Sequence, residues 1–136
     1  MRRKLLLIIL GIGVMASAIP VLAHHSVSAE FDTTKTITFT GPVKAIEWGS
    51  PHIYTQVEAK DASGKVHLYR VEGGPPNSLF RSGWRKEDLK IGQVVTVTGN
   101  PAKSPTSQNV GQARITTADG KTVFSGTPPV RPEAAQ

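Results

Sequence analysis

The chain has 136 residues, 38% of them hydrophobic, with 16 basic and 10 acidic side chains, a formal charge of +6 and no cysteine. That length suits one small domain with a single core. The lack of cysteine excludes disulfides and thiolate metal ligands, so stability must come from burial alone.

Arg2, Arg3 and Lys4 form a positive stretch, Leu5 to Met15 an apolar run, and Ser17 to Ala23 a small-residue segment containing Pro20. This is the order of a secretory signal peptide. The apolar run falls short of the about 20 residues that a transmembrane helix needs. The expected location is therefore the periplasm or the medium, with no membrane span left after cleavage. Val21-x-Ala23 and Ala16-x-Ala18 both satisfy the small-residue rule, and the cut is placed after Ala23. The mature chain then runs from His24 to Gln136. Losing Arg2, Arg3 and Lys4 leaves 13 basic residues against 10 acidic, about +3. A surface so mildly basic, with few aromatics, argues against a nucleic-acid partner.

Cleavage after Ala23 places a free α-amine and an imidazole on His24, with the His25 imidazole beside it. An N-terminal histidine can chelate copper through its amine and Nδ1, and a second imidazole in trans, from His52 or His25, completes a three-nitrogen site. Copper(II) favours such tetragonal nitrogen ligation. A cut one residue earlier gives Ala23-His24-His25, which also suits copper or nickel through the third-position histidine. The competing reading is that two adjacent histidines at a mature start are polar filler on a loose arm.

Ser26 to Lys35 is polar and reads as an extended arm, within an N-terminal segment 24–36. The pattern then turns to β. Ile37 to Trp48 is rich in β-branched residues and is broken by Gly41-Pro42. Gly49-Ser50-Pro51 is a turn, His52 to Lys60 a second strand, Asp61 to Lys65 a hairpin loop with Gly64, and Val66 to Glu72 a third strand. Gly73-Gly74-Pro75-Pro76 stops the sheet. Asn77 to Ser82 can form a short helix with Gly83 after its end. Gln93 to Gly99 is a strong β run, Ala102 to Gln108 a loop, and Gln112 to Thr117 with Thr122 to Phe124 a closing hairpin. Gly126 to Gln136 has three prolines and almost no bulky apolar residue, and is expected to be a disordered tail.

Three strands, a short helix and two or more strands give the order of an OB-like Greek-key β-barrel of about five to six strands, all-β with one inserted helix, spanning 37–125. The expected core is Phe39, Trp48, Tyr69, Val71, Val95, Val97 and Ile115.

Within that frame His52 follows a turn and heads the second strand, near the face that OB barrels use for ligands. It is either a ligand or a strand-end hydrogen-bonding residue. Glu72 could orient or supplement a histidine ligand, or form an ion pair with Arg70, Arg81 or Arg85. The candidate metal set is thus His24, His25, His52 and Glu72. Tyr54 and Trp84 are the candidates for a ligand face, with a core anchor as the competing role for Trp84. His67 reads as plain surface. No Gly-x-Ser-x-Gly elbow or other hydrolase constellation occurs.

The order His24-His25-Ser26 with Phe31-Asp32, Gly41-x-Val43, Trp48-x-x-Pro51-His52, Glu72-Gly73-Gly74-x-Pro76-Asn77, Arg81-x-Gly83-Trp84, Leu89-Lys90-x-Gly92 and Asp119-Gly120 resembles a family of small exported bacterial proteins of unknown function. The resemblance covers nearly the whole mature chain and implies secretion and a single β-barrel domain. It implies no activity. Two functional expectations follow from the residues themselves. The first is an exported copper-binding protein, with a redox role if the copper keeps an open position. The second is a metal-free adaptor barrel that holds a small ligand or an envelope protein through its second and third strands.

Overall fold

The computed structural model describes residues 27–124. The stretch expected to be a signal peptide, His24, His25 and the Pro-rich tail lie outside the described residues. Six strands form one sheet: β1 (Ile37–Glu47), β2 (Tyr54–Lys60), β3 (Val66–Glu72), β4 (Val94–Pro101), β5 (Asn109–Thr117) and β6 (Thr122–Val123). The sheet order is β3-β2-β1-β4-β5-β6, and a further β3–β5 pairing joins its ends. Five strands therefore close into a barrel, with β6 outside on β5. A helix, α1 (Pro76–Arg81), lies between β3 and β4. The all-β OB-like barrel expected from the element order is the fold observed.

Alternation explains β2 and β4 most directly. In β2, Thr55, Val57 and Ala59 are buried, while Tyr54, Gln56 and Glu58 alternate with them on the outer face. In β4, Val95, Val97 and Gly99 point inward and Thr96 and Thr98 outward. The outward threonines meet partners on β1, with Thr38 and Thr98 hydroxyls 3.1 Å apart and those of Thr40 and Thr96 2.9 Å apart. Such cross-strand pairs stabilise a sheet by a few tenths of a kcal/mol up to about 1 kcal/mol each.

β1 serves two partners. Ile37 to Pro42 pair with β4, and Val43 to Glu47 pair with β2, with a register shift between Val43 and Ala45. The strand must bend between these halves, and Gly41-Pro42 is where it does so. A Cβ on Gly41 would lie 1.8 Å from the Glu58 carbonyl oxygen, so only glycine lets β2 approach here. Pro42 lacks an N–H. The next donor, Val43 N–H, bonds the Gln93 carbonyl at 2.9 Å and so leads the chain into β4.

The core holds Phe39, Val43, Val57, Val71, Val95, Val97, Val110 and Ile115, with Ile53, Leu79, Trp84, Leu89, Val123 and Phe124 toward the helix-bearing end. Trp48 and Tyr69, expected in the core, are only partly buried and pack against its edge. α1 begins at Pro76, after Pro75, where a missing N–H costs nothing. It ends before Gly83, whose φ of +89° suits the left-handed position past a helix.

The arm corrects the sequence expectation. Residues 27–30 form one helical turn, and Phe31 is buried at 3% exposure. The Phe31 ring lies over Gly111, where a Cβ would come within 2.6 Å of the ring. Backbone bonds from Asp32 N–H to the Pro101 carbonyl and from Lys103 N–H to the Glu30 carbonyl, both 2.9 Å, fasten the arm across the ends of β4 and β5. The polar composition of Ser26 to Lys35 hid this, because one aromatic side chain supplies the anchor.

Two measurements check this account. Gly41→Ala should cost about 3 kcal/mol or more in chemical denaturation, because the added methyl meets backbone that cannot move without breaking the barrel. The second concerns Asp32, whose carboxyl is held at about 2, against the usual 3.8, chiefly by the Thr34 hydroxyl and then by Lys35. Its contribution to stability is present above the unfolded-chain value and is lost as pH falls through about 2. The stability difference between the protein and Asp32→Asn should therefore shrink as pH is lowered from 3.8 to about 2.

Candidate functional site

His52 stands in the β1–β2 connection, after a cis Ser50–Pro51 peptide bond. Ile53 then joins the sheet. Its N–H bonds the Gly74 carbonyl at 3.2 Å, and its carbonyl accepts from Gly73 N–H at 2.8 Å. This exchange sets the segment before β2 against the end of β3. It brings His52 Nδ1 to 2.6 Å from Glu72 Oε1. The tautomer with its proton on Nδ1, facing the carboxylate, leaves the Nε2 lone pair free. Among the described residues Nε2 has no partner. The His52 side chain is 37% exposed and that of Glu72 20%, so the pair sits at the surface with the carboxylate on its inner side.

Of the ion-pair alternatives for Glu72, Arg70 and Arg85 are engaged elsewhere and the exposed Arg81 forms no ion pair with it. Arg70 pairs with Glu47 at 2.9 Å, and Arg85 donates to the carbonyls of Phe80 and Trp84. Arg70 with Gln56 also holds the Glu47 carboxyl below its usual range. The Arg70 guanidinium lies 3.3 Å above the Tyr54 ring. Tyr54 therefore has one face covered by a cation, a geometry that stabilises the outer face of β2 and β3. Trp84 is 1% exposed and meets Phe124 edge-on, with ring centroids 5.9 Å apart. Of its two sequence-based roles, the core anchor is the one its burial matches, and its ring presents no face for a ligand.

Glu72 borders a cleft of about 270 Å³ with Gly73, Gly74, Gln112, Ala113 and Phe124. Two of these, Gln112 at φ +48° and Phe124 at φ +56°, are the non-glycine residues in the left-handed region. Such conformations cost about 1–3 kcal/mol each and gather at functional sites. Neither residue was signalled by the sequence, since neither is Gly, Asn or Asp. Trp48 stands nearby, with its ring edge-on to Phe124 and its buried Nε1 without an acceptor among the described residues.

His67 is the other correction. It was expected on plain surface, yet its side chain is 17% exposed and Nε2 lies 2.7 Å from Asp61 Oδ2. His67 sits five residues before Glu72 on β3 and joins a different group of side chains. Among the described residues no three His, Asp or Glu side chains converge as a metal site, and no helix is long and apolar enough to cross a membrane. The structure thus brings His52 and Glu72 together and keeps Tyr54 and Trp84 out of that pair, while His24 and His25 lie beyond the described residues.

No curated protein and no solved structure matches this chain. A family model matches residues 12–111, and the chain accordingly belongs to the family of unknown function DUF6152.

Proposed function

We propose that the protein is exported, loses residues 1–23, and binds copper through the His24 amine, the His24 imidazole and His52 Nε2. The observation that carries this reading is the 2.6 Å contact between His52 Nδ1 and Glu72 Oε1. A carboxylate on one imidazole nitrogen fixes the tautomer, orients the ring and raises the basicity of the other nitrogen. Metal-ligating histidines are supported in this way. His52 supplies one ligand of this kind, and the new N-terminus supplies the two that the described residues lack. His25 is the alternative donor if the cut falls elsewhere. Copper so held would be bound by nitrogen alone, which suits the divalent ion.

Intact-mass measurement of the exported protein should give a chain beginning at His24. Copper(II) titration of that form should show one tight site with a nitrogen-rich electron paramagnetic resonance signal. His52→Ala should abolish the tight site, and Glu72→Gln should weaken it by about 10–100-fold, the range for loss of a supporting carboxylate. Unchanged affinity in His52→Ala would end the proposal.

One observation favours a second reading, a metal-free adaptor of the cell envelope. Val66 and Leu68 stand 54% and 47% exposed on the outer face of β3, beside the Arg70–Tyr54 pair. In that case Leu68→Asp should abolish capture of an envelope partner while His24→Ala and His52→Ala leave it intact; the opposite pattern would favour the copper module.

A further inference from the structure

The two ends of β3 are unlike. At the Glu72 end the chain passes into α1, whose Leu79 is buried in the core with Trp84 and Leu89. At the Val66 end the barrel stays open. The parallel β3–β5 seam has two rungs, Arg70 with Asn109 and Val71 with Val110. Val66 to Tyr69 therefore run on without a β5 partner. Alternation along β3 exposes Val66 and Leu68 and turns the half-buried His67 and Tyr69 to the inner side. A cleft of about 290 Å³ opens there, walled by these two rings and by the β4–β5 loop.

The chemistry of the walls narrows what can enter. Ile37, Pro105 and Val110 give apolar surface, and Ser107 and Gln108 give polar groups at the loop. The Tyr69 ring is stacked on Phe39, with centroids 4.0 Å apart. The His67 ring stands 5.8 Å from Tyr69 at 48°, so the two rings make a corner. No lysine or arginine lines the cleft, which leaves an anion unmatched. The one carboxylate, Asp61, is already occupied. Oδ1 accepts from Ser63 N–H, the Ser63 hydroxyl and Lys65 N–H, and Oδ2 takes His67 Nε2. It has little left to offer a cation. His67 Nε2 faces Asp61, so the tautomer that donates there leaves Nδ1 as the ring's acceptor, on a residue that lines the cleft.

We infer that this mouth of the barrel binds a small neutral molecule built on one aromatic ring and carrying a hydroxyl, which donates to His67 Nδ1 while its ring packs on Tyr69 and the apolar wall. Pockets for small ligands combine mostly apolar walls with a few placed polar groups in this way. The site is separate from the His52–Glu72 pair and does not depend on copper.

Phenol and benzene serve as probes, followed by amide and imidazole NMR shifts of the full mature protein. Phenol should shift His67, Tyr69 and residues 107–110 saturably, and benzene should shift the same residues more weakly. His67→Phe keeps a ring but removes the acceptor, and should weaken phenol about tenfold, one hydrogen bond's worth, with benzene unchanged. Ser104→Leu adds bulk to the mouth from the β4–β5 loop and leaves the residues of the Asp61–His67 hairpin unchanged, and it should remove both responses while the thermal melt stays intact. Absence of saturable shifts, equal binding of phenol and benzene, or full phenol binding in Ser104→Leu would each overturn the inference, as would undiminished phenol affinity in a folded His67→Phe.

Discussion

Much of this molecule depends on the close approach of β2 to β1 at Gly41. A single strand has to satisfy β4 along its first half and β2 along its second. A twisted sheet can close on itself only if such a shared strand bends sharply. The 1.8 Å separation between a hypothetical Gly41 Cβ and the Glu58 carbonyl oxygen measures how little room the bend leaves. Once it is made, β4 falls beside β1, β5 beside β4, and β5 reaches β3. The barrel has no disulfide to hold it, so backbone geometry and valine-rich packing must do so together. Neither half of β1 has a purpose without the other, which makes the barrel a single cooperative unit.

The closure also fixes the His52–Glu72 pair. The β1–β2 connection and the end of β3 come from segments about twenty residues apart, and the reciprocal backbone bonds of Ile53 with Gly73 and Gly74 bring them together. The strained residues Gln112 and Phe124 face Glu72 from β5 and from the end of β6. An ion-paired histidine could be explained by local stability alone. Of the two left-handed backbones, that of Gln112 belongs to the β4–β5 register shift, where Gln112 and Ala113 oppose Gly99.

The β-strands were legible because they are rich in β-branched residues and lie between Gly-, Pro- or Asp-containing turns. The order of strands and helix was enough to name the barrel. Phe31 was not legible, because one aromatic residue in a polar stretch makes no pattern; its burial depends on Gly111, eighty residues away. His67 was misread for a similar reason. The expected core residues Tyr69 and Val71 share its face of β3, yet its polarity and its place beside the hairpin read as surface, and the contact with Asp61 that half-buries it is not signalled by periodicity. Glu72 beside His52 was within reach of sequence reasoning as one of several pairings, and the structure chose among them because Arg70 and Arg85 are engaged elsewhere.

The short β3–β5 seam has a further consequence. Two rungs of parallel pairing are the thinnest part of the barrel wall, and local opening in proteins starts where pairing is sparse. β3 carries His67 on one side of those rungs and Glu72 on the other, five residues and roughly 17 Å apart. The two rungs at Arg70 and Val71 thus divide β3 into two ends that meet different side chains, and the strand's pairing with β2 runs unbroken through both.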